Sequence, residues 1–172
     1  MDLILETERL ILRPLKHTDA EGLFLLDSNP NVHKYLGNNP VTSIDQSIQY
    51  IENIKKQYKE NGIGRFAVIR KEDNEFIGWC GLKFITEEEN NYVNFYEIGY
   101  RFREDFWGKG YAFEAAKAWY DYAFNALKID ILYASAHVEN LGSRKVLEKI
   151  GLHLKNEYIW NTTIPCVWYA SN

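Results

Sequence analysis

Trp107-Gly108-Lys109-Gly110-Tyr111-Ala112 closes an apolar, strand-like run from Tyr92 to Phe102 and opens a run of helical periodicity from Gly110 to Leu127. Two glycines and a small alanine let the backbone bend tightly and approach a ligand, and the helix that starts there points its unpaired N–H groups and positive dipole end at an anion. The stretch therefore reads as a phosphate cradle. It is not a Walker-type loop, because Lys109 is followed by Gly110-Tyr111, with no hydroxyl to hold magnesium. Nor is it a Rossmann fingerprint: Phe113 stands where a third glycine is needed, and the segment lies past mid-chain instead of after a first strand.

The flanks set the layout. Downstream of the cradle, Ala112, Ala115, Ala116, Trp119, Tyr122, Ala123 and Ala126 recur at helical spacing, which predicts an amphipathic helix packed on a sheet. Ile131 to His137 follows as a strand, Leu141 to Ile150 as a helix closed by Gly151, and His153 to Trp160 with Cys166 to Ala170 as a terminal hairpin. Upstream, Leu10 to Arg13 reads as a strand and Thr18-Asp19 as the cap of a short helix to about Asp27; Asn31 to Leu36 adds a turn or two. Ser43 with Gln46 resembles a capping box for a helix ending near Asn61-Gly62. Phe66 to Arg70 and Phe76 to Phe84 flank Glu72-Asp73-Asn74 as a hairpin, and Glu87 to Asn91 feeds the strand before the cradle. The expected fold class is α/β, of the α+β type, with a mixed central sheet of about seven strands flanked by about four helices.

Composition narrows the function. At 172 residues with 46% hydrophobic and 15% aromatic content, one globular domain spanning 1–172 is expected. No apolar run approaches the roughly 20 residues of a membrane span, and the acidic opening Met1-Asp2-Leu3-Ile4 does not read as a signal peptide, so a chain without membrane partners is expected. Cys80 and Cys166 lie in apolar runs, as buried free thiols do, which fits a reducing cytoplasm. A formal charge of −4 argues against a nucleic-acid partner and mildly favours a cationic or amine substrate. The four histidines are scattered without metal-ligand spacing, so no metal is expected.

A second signature lies about thirty residues beyond the cradle, at Val138-Glu139-Asn140-Leu141-Gly142-Ser143 through Gly151-Leu152. Together with Thr7 to Leu15, Phe76 to Leu82 and Tyr96 to Tyr100, these segments fall in the order of the GCN5-related N-acetyltransferase (GNAT) superfamily, and the chain resembles its RimJ/RimL branch over almost its whole length. The superfamily loop usually reads Arg/Gln-x-x-Gly-x-Gly/Ala. Here Trp107 holds the first position, which puts one side-chain contact in doubt but not the backbone contacts to phosphate.

The resemblance implies acetyl-CoA as co-substrate and direct attack of an amine on the thioester, with an amine substrate such as a peptide N-terminus or a small amine. It also makes a homodimer an expectation. An acyl-CoA sensor without turnover is the reading from another class. Implied contacts to the cofactor are the backbone of Trp107, Gly108, Lys109, Gly110, Tyr111 and Ala112, that of Tyr100, Arg101 and Phe102 along the pantetheine arm, and Asn140 and Ser143. Lys109 reads either as an extra counter-charge or as a solvated lysine, and Asn140 either as a pantetheine ligand or as a helix cap. Ser143 is the candidate donor to the departing thiolate. The tyrosine that many members carry seven residues after the asparagine is Leu147 here. For the base, Glu97 and Glu157 are the candidates; Glu97 alternatively pairs with Arg101 on the same strand face. Glu87 to Glu89 reads as a solvated loop, or as a lure for a cationic substrate.

Overall fold

In the computed structural model, which describes residues 1–172, β1 (Leu5–Glu6) and β2 (Leu10–Pro14) lead into α1 (Ala20–Asp27), α2 (Pro30–His33) and α3 (Ile44–Asn61). Then come β3 (Arg65–Arg70), β4 (Glu75–Ile85), β5 (Phe95–Phe102), α4 (Tyr111–Asn125), β6 (Leu132–His137), α5 (Leu141–Ile150), β7 (His153–Trp160) and β8 (Ile164–Ala170). The strands form one sheet in the order β1-β2-β3-β4-β5-β6-β8-β7. Every neighbouring pair is antiparallel except β5 with β6, the two strands joined by the α4 crossover.

The sheet thus has eight strands, not seven, and five helices, not four. The additional strand, β1, pairs Leu5 with Leu12 and Glu6 with Ile11, and two residues are too few to show a period. The strand before the cradle begins at Phe95, not Tyr92, because Asn90, Asn91 and Asn94 take left-handed backbone conformations that a ladder cannot accommodate.

Both sheet faces are covered, which is why β3 is buried along nearly its whole length. Leu10, Leu12, Phe66, Ile98 and Leu132 pack with Trp119 and Ala123 of α4 and Leu147 of α5 on one side. On the other, Ala67, Ile69 and Trp79 meet Leu23, Ile51 and Ile54 of the N-terminal helices. Trp119 is fully buried, with Phe66 edge-on at 4.8 Å between centroids, a favoured aromatic geometry. Leu147 is 1% exposed and belongs to the core, with no hydroxyl to offer the site.

Candidate active site

The cradle is shaped by Gly108 (φ +71°) and Gly110 (φ +83°), conformations that favour glycine, and a Cβ at Gly108 would meet nothing within 4 Å. None of the amides from Gly108 to Phe113 finds an acceptor in the protein; Glu114 is the first that does, at 3.1 Å from Gly110 O. A row of free N–H groups at the start of a 15-residue helix is a site for phosphate oxygens, so the loop fits the pyrophosphate of coenzyme A.

Side chains brace the loop. The Trp107 indole, 47% exposed, donates to Phe102 O at 2.8 Å and ties the loop to the end of β5. Lys109 donates to Asp105 O at 2.7 Å, so its charge is held against the loop's own backbone. Arg9, which sequence reasoning missed, donates to Lys109 O at 3.0 Å and to Glu114 at 2.7 Å, and lies 4.4 Å over the Tyr111 ring. Burial pushes Glu114 up, but hydrogen bonds from Thr7 and Arg9 more than offset this and leave its carboxyl below the usual range.

Next to the cradle the sheet splays. β5 and β6 are paired only at Tyr96 with Leu132 and Glu97 with Tyr133, so the strand ends beyond them diverge. Arg103 donates its N–H to Ile77 O of the β4 side, which fixes the parity: odd-numbered residues of β5 face β4, and the backbone groups of Tyr100 and Phe102 face the gap. Arg101, expected as a third backbone contact, has the wrong parity; its backbone pairs with Trp79 and its side chain donates to Asp27 at 2.5 Å.

At the gap, Asn140 caps α5 by accepting from Ser143 N–H at 3.2 Å, which leaves its NH₂ group free to donate. Both readings of Asn140 are therefore compatible. Ser143 Oγ lies 3.0 Å from Tyr100 Oη. Burial holds the Tyr100 phenol well above its usual range, so it stays neutral. Tyr100 thus enters the site through its side chain as well as its backbone.

On the opposite face of the sheet lies a cleft of about 690 Å³, lined by Trp79, Lys83, Glu89, Glu97, His137 and Tyr158 among others. Glu97 faces it, but its partner is Arg65, at 2.5 Å, and not Arg101. Arg65 also donates to Gly81 O at 2.5 Å and Glu97 O at 3.1 Å, and together with Arg101 flanks the Trp79 ring. Glu157 is exposed and does not line the cleft, which takes Tyr158, Ile159 and Trp160 from the end of the same strand. The glutamate that does reach Tyr158 is Glu89, from the loop after β4, at 2.5 Å. Cys166 also lines the cleft; burial, and secondarily Glu89, push its thiol up to about 11, so it is no thiolate nucleophile at neutral pH. No group of three or more His, Cys, Asp or Glu residues could hold a metal ion, and no helix is long and apolar enough to cross a membrane.

The sequence and fold resemble those of known proteins. The model of the acetyltransferase (GNAT) domain family matches residues 9–153. The uncharacterized N-acetyltransferase p20 of Bacillus licheniformis is 37% identical over 146 residues, covering 85% of this chain and 80% of that protein. The crystal structure of a GNAT-family acetyltransferase from Bacillus anthracis superposes with a TM-score of 0.80 at 26% identity, covering 98% of this chain and 97% of that one. RimL, a ribosomal L7/L12 alpha-N-protein acetyltransferase solved with coenzyme A, shares the fold with a TM-score of 0.79 at 20% identity, covering 98% of this chain and 97% of that one. With a free-amide cradle at α4, a splay between β5 and β6 and these relatives across most of its length, the chain belongs to the GNAT family of N-acetyltransferases.

Proposed function

We propose that the protein transfers the acetyl group of acetyl-CoA to the α-amino group of a peptide or protein N-terminus, by direct attack on the thioester. The observation that carries this reading is the two-sided opening. A row of free amides and the splayed edge of β5 serve the acyl donor on one face, and an open cleft of about 690 Å³ serves the acceptor on the other.

Each step has a candidate group. The amides of Gly108 to Phe113 hold the pyrophosphate, and the backbone of Tyr100 and Phe102 with the Asn140 NH₂ orients the pantetheine amides. A backbone N–H of β5 polarises the thioester carbonyl as the amine attacks. When the carbon–sulfur bond breaks, the electron pair leaves on sulfur; the Ser143 hydroxyl, held beside Tyr100 Oη, is the hydrogen-bond donor to the departing thiolate, which takes its proton from solvent.

A polyamine acceptor is the second reading, supported by the carboxylates of Glu87, Glu88 and Glu89 along the cleft. Against it, the same wall carries Lys83, whose ammonium offsets part of that negative charge and leaves less of it for a polycation. The test is CoA release from acetyl-CoA with purified protein and a panel of short peptides bearing free Ala or Ser N-termini, polyamines and amino-sugar antibiotics. Turnover confined to peptides supports the proposal, and turnover confined to spermidine or spermine replaces it with the second reading. CoA binding without turnover across the panel favours a sensor.

A further inference from the structure

The cleft holds two carboxylates, and their surroundings differ. The charge of Glu97 is committed: it is the counter-ion of Arg65, whose side chain is 8% exposed, and a proton placed on Glu97 would leave that guanidinium buried without its partner. Glu89 has no cation partner. Its carboxylate accepts one hydrogen bond, from the Tyr158 hydroxyl, which occupies Oε1 and leaves Oε2 without a partner on the cleft side.

The loop that carries Glu89 is built rather than loose. Glu89 and Tyr92 exchange both backbone hydrogen bonds at 2.9 Å across Asn90 and Asn91, whose left-handed conformations make the tight turn. The Tyr92 ring stacks on Trp168 at 5.5 Å and 16°, and the Asn90 and Asn156 amides bond each other at 3.1 and 3.2 Å. Tyr158 is itself edge-on to Trp168 at 5.6 Å. Turn, stack and amide pair together fix the glutamate against the cleft wall.

We infer that Glu89 is the catalytic residue that takes the proton of the attacking amine, with Tyr158 positioning its carboxylate; this rests on the acetyl-transfer reading above. The nitrogen lone pair forms the bond to the acetyl carbon, the N–H proton passes to Glu89 Oε2, and the collapsing tetrahedral adduct expels the thiolate, which accepts a hydrogen bond from Ser143 and takes its proton from solvent. Glu89 later releases its proton to solvent. Burial also raises the Glu89 carboxyl, Glu97 adds to the rise, and Tyr158 and Lys83 oppose it; a carboxylate raised in this way is a better proton acceptor near neutrality. His137 does not compete, since its Nδ1 accepts from Glu139 N–H at 3.1 Å and the neutral ring then carries its proton on Nε2.

The experiment compares wild type, Glu89→Gln, Glu97→Gln and Tyr158→Phe in pH profiles of kcat/KM with acetyl-CoA and the best amine of the panel, alongside CoA affinity by calorimetry. Glutamine keeps the hydrogen bond from Tyr158, so Glu89→Gln should fold, bind CoA as wild type does and lose about 10²-fold in kcat. Its deficit should shrink as pH approaches the amine's own pKa. Tyr158→Phe should move the acidic limb to higher pH, because the lost hydrogen bond had favoured the carboxylate. Glu89→Gln activity within about threefold of wild type, with an unmoved limb, overturns the inference. If no amine reacts, the same comparison on slow acetyl-CoA hydrolysis uses water as the nucleophile. Binding of CoA with neither reaction in wild type overturns the acetyl-transfer reading and the inference with it.

Discussion

Tyr100 Oη lies 3.0 Å from Ser143 Oγ and donates to the Ser143 carbonyl at 2.9 Å, linking the splayed edge of β5 to the first turn of α5. The pair stands where Leu147 provides no hydroxyl. Ser143→Ala should lower kcat by about tenfold to 10²-fold with little change in CoA affinity, since the hydrogen bond to sulfur matters only as the thiolate departs. Tyr100→Phe should cost less, and the double variant should cost about as much as Ser143→Ala alone, because the two hydroxyls act as one unit. Steady-state kinetics on the three variants checks both expectations, and a multiplicative double variant contradicts the linkage.

Gly108 and Gly110 serve conformation, not packing. Alanine at Gly108 has room for its Cβ but must hold φ near +71°, which costs about 1 to 2 kcal/mol. The expected outcome is a folded Gly108→Ala protein in which relaxation of the loop weakens CoA binding about tenfold. At Gly110 the added Cβ meets only the tip of Arg9, at 3.4 Å, so Gly110→Ala should cost a similar amount through its φ of +83°. Calorimetric titration with CoA, beside a thermal melt of each variant, reads both effects.

The Arg65 and Glu97 pair is a structural commitment. Glu97→Gln leaves the buried guanidinium without its counter-charge and should destabilise the fold by about 3 kcal/mol, visible as a lower urea midpoint at unchanged slope. Arg65→Met combined with Glu97→Leu should recover much of that loss, since an apolar pair of similar volume needs no counter-charge. A Glu97→Gln variant as stable as wild type contradicts the assignment.

Glu89 has the opposite sign. Its folded-state carboxyl titrates above the ordinary value, so it favours folding when protonated, and that contribution is lost as pH rises from the ordinary carboxylate value through the raised one. Glu89→Gln should therefore gain in Tm relative to wild type as pH rises from about 4 to about 7, where wild type must bury a charge. Melting curves across that range check it; a difference that is flat with pH contradicts the raised value.

The parts legible in the sequence were those in which one local requirement selects the residue. Left-handed turns wrote themselves as Gly108 and Gly110, and the capping box as Ser43 with Gln46, whose Oε1 accepts from Ser43 N–H at 3.1 Å. The α5 boundaries followed from apolar spacing and the glycine after Ile150. What stayed hidden depends on pairing between distant segments. Arg65 lies 32 residues from Glu97, so the nearer Arg101 looked the natural partner, while Asp27, 74 residues from Arg101, takes that arginine instead. The place of Glu157 is not legible either, because β7 is exposed along most of its length and shows no alternation from which to read a face. Glu89 lies in a polar run with the composition of solvated loops, and the turn at Asn90 and Asn91, the stack of Tyr92 on Trp168 and the Asn90–Asn156 amide pair hold it at the cleft wall.

The most direct test of the two-sided site is a crystal structure of the protein with coenzyme A. The account predicts pyrophosphate oxygens on the amides of Gly108 to Phe113, pantetheine in the gap between β5 and β6, and the sulfur beside Ser143, with the cleft of Glu89 and Tyr158 open on the far side. Coenzyme A bound away from the gap, or a sulfur with no path to that cleft, would contradict it.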